Sequence, residues 1–176
     1  YIAILNIANE ITIVDINKYS KHENTFITRI PNEGKDNINK ICIRNNQILI
    51  LRSNGILELL IFNSFHRDIK FIFISSDISI KYIDKCFHCF IILKQKDNNS
   101  ELWSLSFEKS TSLILGDINT KLKNVKINSK HYFTKLIDNV NIKYISCGYY
   151  HCIYSTINNE IYGFGSNWCY QLGIDK

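Results

Sequence analysis

One pattern recurs in order along the chain and constrains its fold more than any other feature. The stretch Ile142-Lys-Tyr-Ile145, His151-Cys152, Ile161-Tyr162 and Leu172-Gly173 has an upstream counterpart in Ile80-Lys-Tyr-Ile83, His88-Cys89, Leu102-Trp103 and Leu115-Gly116. A weaker third copy runs through Ile38-Asn-Lys-Ile41, residues 47–51 and Asn54-Gly55-Ile-Leu57, with Gln47 at the His place. Self-similarity of this kind marks a unit that buries its apolar face on its neighbours. About two fifths of the 176 residues are Ile, Asn or Lys, so Ile-Lys-Tyr-Ile alone recurs easily by chance. The His, aromatic and Leu-Gly places owe nothing to that bias, and they recur in the same order.

Each copy reads as strand, turn, strand. Residues 48–51, 56–62, 71–74, 90–93 and 161–164 are short β-branched or aromatic runs bounded by polar turns. Several are apolar at successive positions, which suits strands covered on both faces, as when twisted sheets stack radially in a propeller. The expected class is all-β: a β-propeller fragment of about three blades made of four-stranded antiparallel sheets. Residues 1–30 are expected to end a preceding blade, 31–77 and 78–138 to form two blades, and 139–176 to start the next repeat.

Apolar residues make up 45% of the chain and aromatics 12%, enough for a sizeable core. The chain begins at Tyr1 and has no Met, and so reads as a piece of a longer polypeptide. The net charge of +5 is spread through Asn-rich turns such as 94–99 and 121–130, with no dense basic run, and reads as a solvated surface. No apolar stretch reaches the ~18 to 20 residues of a membrane helix. An intracellular place, nuclear or cytoplasmic, is expected.

Six cysteines raise the question of metal, because Cys86-Phe-His-Cys89 has the gap of half a zinc knuckle. The next group, Cys147 and His151-Cys152, lies far downstream at another spacing. No metal and no cofactor is expected, and the thiols are read as reduced and partly buried.

The segment Ile145-Ser-Cys-Gly-Tyr-Tyr-His151, then Ile161-Tyr-Gly-Phe-Gly-Ser-Asn, then Gln171-Leu-Gly173, resembles the signature of the regulator of chromosome condensation repeat family. The motif residues are Cys147, Gly148, His151, Tyr162, Gly165, Gln171, Leu172 and Gly173, with His88 and Trp103 in the upstream copy. Residues 139–176 carry the signature nearly whole, 78–116 about half, and 35–62 mainly the apolar skeleton. The resemblance implies a ring of seven four-stranded blades, so the remainder of a longer chain would be needed to close it. Three departures stand out: Tyr170 replaces the Gly before Gln-Leu-Gly, Lys85-Cys86 replaces the Cys-Gly pair, and Arg44 stands at the Gly place of the first copy. Bulky residues at places where Gly allows φ > 0 are expected to force other turns and irregular upstream blades.

No residue set supports covalent catalysis, and the chain is not expected to be an enzyme. Gly163-Phe-Gly165 lacks a third Gly and a following helix, so it reads as turn chemistry and not as a phosphate loop. His151 beside Cys147 would sit in a strand without an orienting carboxylate, and is expected to bond backbone within its blade. His66 and His131 read as surface residues. Propellers bind partners through the loops at blade ends. Candidates are 63–68, 94–100 and 117–139, the last with Tyr132 and Phe133, which read equally as a blade's first strand. The resemblance implies a protein-interaction propeller, with guanine-nucleotide exchange on a Ran-type small GTPase, or contact with chromatin, as its specific form. The alternative is a recruitment domain inside a larger protein such as a HECT-type ubiquitin ligase.

Overall fold

A computed structural model describes residues 1–14, 27–32, 35–63, 68–97, 99–106, 124–128 and 131–174. The repeat residues Leu115 and Gly116, His66 and part of the 117–139 stretch lie outside them. Every regular element described is a strand, and no helix is long and apolar enough to cross a membrane. The chain divides into two units, Tyr1–Ile78 and Ser79–Lys176.

The first unit holds two antiparallel sheets. One orders β1 (Ile2–Leu5), β2 (Ile11–Val14) and β3 (Ile27–Ile30); the other orders β4 (Ile38–Arg44), β5 (Gln47–Arg52), β6 (Ile56–Asn63) and β7 (Asp68–Ser76). Ile11, Ile13 and Ile30 from the first sheet meet Ile38, Ile48, Ile50, Leu60 and Phe62 from the second in one buried cluster. Strand β5 is buried at five successive places, Ile48 to Arg52, as a run covered on both faces must be. Each fully buried Ile or Leu there contributes about 1.5–3 kcal/mol of transfer free energy.

The second unit also holds two. Strands β8 (Ile80–Lys85), β9 (Cys89–Lys96), β10 (Asn99–Ser106), β11 (Asn124–Asn128) and β12 (His131–Val140) form a five-stranded sheet in the order β11-β12-β10-β9-β8. The last sheet orders β13 (Ile142–Cys147), β14 (His151–Thr156) and β15 (Ile161–Gly165). Cys89, Ile91 and Leu93 face Ile142, Ile145 and Cys152 across a shared core with Leu102 and Leu136. Tyr132 and Phe133 belong to β12, which lies between β10 and β11, fourth in the sheet counted from β8, and is not a blade's first strand. Most of 94–100 is likewise strand, with Asp97 in the left-handed region at φ 54° closing the hairpin.

Strand register displays the repeat more sharply than sequence does. Ile38, Ile80 and Ile142 stand opposite Arg52, Lys94 and Thr156, and each is followed by the same register shift. Ile41, Ile83 and Ile145 then face Ile50, Ile92 and Tyr154. One correspondence has to be moved by a residue. Cys86 N–H donates to Cys89 O at 2.8 Å as Gly148 N–H donates to His151 O at 2.8 Å. The counterpart of His151 is therefore Cys89, while His88 takes the place of Tyr150. In the first copy Gln47 does hold the His place, opposite Arg44.

The beginnings of the first strands are tied to the hairpins before them. Ile38 N–H donates to Asn9 Oδ1 at 2.9 Å, and Ile142 N–H donates to Ser100 Oγ at 3.2 Å. Two different side chains thus satisfy the same strand-end donor, which a buried backbone requires.

Candidate protein-interaction surface

The turns that precede β9 and β14 lie side by side in the second unit. Phe87 N–H donates to Tyr149 O at 2.8 Å, and the rings follow the backbone. Phe87 stacks on Tyr149 at 4.3 Å, His88 stacks on Tyr150 at 5.7 Å, and Tyr149 meets Tyr150 edge-on at 4.5 Å. His88 is thus one wall of an aromatic cluster. The third side is the loop after β15, whose Ser166 N–H donates to Tyr150 O at 2.8 Å and which carries the exposed Trp168 and Tyr170. Tyr149 is 57% exposed and Trp168 82% exposed. A large ring held by stacking yet open to solvent, as Tyr149 is, supplies contact area at small entropic cost, the property that concentrates binding energy in aromatic anchors.

The signature residues build this end of the sheet. The imidazole of His151 fills the space that a side chain on Gly148 would need, with Cε1 only 2.2 Å from an ideal Cβ there. Its backbone bond is made by the carbonyl, which receives Gly148 N–H. The upstream copies exchange both partners together: Cys86 with Cys89, and Arg44 with Gln47, whose side chains bond at 3.2 Å. The Gln-Leu-Gly segment closes the next loop. Gln171 Oε1 accepts Cys169 N–H at 2.8 Å, Gln171 Nε2 donates to Ser166 Oγ at 3.2 Å, and Leu172 N–H donates to Asn167 Oδ1 at 3.0 Å. Leu172 also packs over Gly163, where an added Cβ would lie 2.9 Å from its Cδ2.

Tyr170 and Gly173 both have positive φ, 57° and 71°. The turn survives the Gly-to-Tyr departure by straining Tyr170, contrary to the expectation that a different turn would form. A Tyr in the left-handed region costs roughly 1–2 kcal/mol, part of which Gly would return as unfolded-state entropy. Tyr170→Gly is therefore expected to stabilise the chain by about 0.5–1 kcal/mol. Urea unfolding of the pair checks this, and a loss of stability would show that the ring's contacts outweigh the strain.

Trp103 and Tyr162 occupy the same register place but do different things. Trp103 stacks on Phe133 at 4.9 Å, with Lys94 and Lys135 over its ring at 5.0 and 5.3 Å, and its Nε1–H donates to Glu101 Oε2 at 2.9 Å. The Glu101 carboxylate bonds Lys135 at 2.5 Å and pushes that ammonium's pKa upward. Tyr162 stacks on Tyr154 at 5.3 Å and with it lines a shallow cavity of about 330 Å³ that Thr156 and Glu160 also reach. The partner chemistry of that cavity is not distinctive.

No disulfide links the six cysteines. Three of them, Cys86, Cys147 and Cys152, bring their sulfurs within 4.8 Å of one another beneath the aromatic turns. Hydrogen bonding with the thiols of Cys147 and Cys152 holds the Cys86 pKa down against burial, while the bonds of Cys147 with Cys152 and Cys86 push Cys147 up. The Cys86-to-Cys89 spacing has the gap of half a zinc knuckle, but the fold brings Cys86 to a strand pair more than sixty residues on.

Comparison with known proteins agrees with this geometry. Residues 142–171 match the model of the regulator of chromosome condensation (RCC1) repeat. No curated protein matches the chain. Among solved structures, Prp20p from Saccharomyces cerevisiae is similar with a TM-score of 0.61 at 16% identity, over 99% of this chain and 43% of that one. The chain therefore spans less than half the length of that protein. That study describes the binding properties of Prp20p towards Gsp1p and histones. The chain carries a repeat of this type and has the fold of a piece of such an all-β propeller.

Proposed function

We propose that the chain is a protein-interaction segment of a propeller of the RCC1 type, with the turn aromatics Phe87, His88, Tyr149 and Tyr150 and the adjacent Trp168 and Tyr170 as its docking surface. The observation that carries the reading is the exposure of Tyr149 and Trp168 on a framework fixed by backbone hydrogen bonds. Partners of two chemistries suit the likeness to Prp20p: a Ran-type small GTPase and histones. Binding that favours the nucleotide-free form of such a GTPase would weaken its hold on nucleotide by coupling, without covalent chemistry in the propeller. Residues beyond this chain would complete the contact set for exchange.

The test is affinity of the purified chain for each partner, by fluorescence anisotropy, with Tyr149→Ala and Trp168→Ala beside the parent. A loss of about 2 kcal/mol, or roughly thirtyfold, is expected for an anchor ring. Release of a fluorescent guanine nucleotide is expected to be faster with the complete protein than with this chain. Failure of both partners to bind, or binding untouched by both substitutions, would overturn the assignment of the surface.

A further inference from the structure

The thiols beneath the aromatic turns form a built site that the interaction reading does not use. Cys147 and Cys152 are direct cross-strand partners on β13 and β14. Cys86 reaches them from the turn before β9 in the adjacent sheet, with its sulfur 3.3 Å from that of Cys152. The turn is fixed at both ends, by Cys86 N–H on Cys89 O and Phe87 N–H on Tyr149 O. Cys152 and Cys86 are buried, and Cys147 is half-buried. Ile145, Leu93 and Phe164 pack in the same core, so the ligand set is sulfur in an apolar surround.

We propose that Cys86, Cys147 and Cys152 form a three-coordinate site for a soft monovalent d10 cation, copper(I). Sulfur-only ligands select copper(I), zinc or iron–sulfur clusters. Structural zinc and the common clusters take four protein ligands, whereas among the described residues only Cys86, Cys147 and Cys152 have ligand atoms all within 4.8 Å of one another; Cys89, whose thiol also bonds Cys86, stands outside that set. Metal–sulfur bonds of about 2.3 Å in a trigonal plane set the sulfurs about 4 Å apart. That separation falls between the 3.3 Å of the closest pair and the 4.8 Å that bounds the cluster. Loading forms copper–sulfur bonds as thiol protons pass to the buffer, and the metal enters and stays as copper(I), so no electron is transferred. The bound ion staples the β8–β9 turn to the β13–β14 hairpin and stiffens the aromatic surface above.

The experiment titrates the reduced chain with copper(I) under nitrogen against bicinchoninate, and reads the bound ion by X-ray absorption. One equivalent held against the chelator is expected, with three sulfurs at about 2.3 Å and a higher thermal midpoint. Cys86→Gly, which puts at that turn the residue its repeat carries at Gly148, keeps the turn and is expected to weaken copper(I) at least a hundredfold. Cys169→Ser, at an exposed thiol outside the cluster, is expected to leave it unchanged. Three results would overturn the proposal: no copper(I) retained by the folded parent, retention undiminished by Cys86→Gly, or a zinc(II) arm showing tight four-coordinate binding. A fourth result, a Cys86–Cys152 disulfide that persists under the reducing conditions, would also overturn it.

Discussion

Glu58→Ala is expected to destabilise the protein by about 3–5 kcal/mol, the cost of leaving one partner of a buried ion pair alone. Arg52 is 4% exposed and Glu58 14%. The guanidinium Nε–H donates to Glu58 Oε2 at 2.8 Å, and Nη1 donates to Asn32 Oδ1 and Asp36 O, each at 2.7 Å. Without Glu58 the two remaining acceptors among the described residues are neutral, and they leave the cation's charge unpaired. Lys35 sits 3.6 Å from the same carboxylate but is nearly half exposed, so its loss adds little.

The repeat supplies the control. Arg52 and Glu58 hold the register places of Lys94 and Trp103, where a cation lies over a ring at 5.0 Å. Replacing a buried pair as a unit is often neutral, whereas breaking it is not. Arg52→Lys with Glu58→Trp is therefore expected to recover most of the loss, to within about 1 kcal/mol of the parent. Chemical denaturation of the three variants settles it. A Glu58→Ala loss below about 1 kcal/mol would show that the pair behaves as a surface bridge.

The strands were legible because their cause is local. Runs such as Ile48 to Leu51 are apolar at every place, short and bounded by polar turns, which suits a strand covered on both faces. The repeat order, and with it the aromatic places of Trp103 and Tyr162, was legible for the same reason. Turn register was not. His88 and His151 align by identity, but the i to i+3 hydrogen bond sets Cys89 against His151, and a one-residue slip costs nothing in sequence. The sulfur cluster was also hidden, since Cys86 meets Cys152 only when one sheet's turn lies on the next sheet's hairpin. The spacing within Cys86-Phe-His-Cys89 says nothing of that contact. Nor did the tolerance of Tyr170 at φ 57° show in the sequence, where the loop around it is secured by Asn167 and Gln171 instead of by a glycine.

Gly165→Ala is expected to cost about 3 kcal/mol and to weaken partner binding, whereas Gly173→Ala is expected to cost only about 1 kcal/mol. Both glycines have positive φ, 101° and 71°, so the backbone penalty alone does not separate them. Space does. A Cβ on Gly165 would sit 2.4 Å from Tyr150 O and 2.9 Å from His151 Cα, both parts of the backbone, while one on Gly173 would meet nothing within 4 Å. The crowded oxygen is also the acceptor of Ser166 N–H at 2.8 Å, the bond that holds the Trp168 and Tyr170 loop against the Tyr149 and Tyr150 turn. Relief of the clash must push these two segments apart, which links a stability loss to a looser aromatic surface. Thermal unfolding and partner affinity measured on both variants test the link. Equal stability losses would show that φ and not crowding governs the turn. A large loss of stability with unchanged affinity would show that the loop carrying Trp168 takes no part in docking.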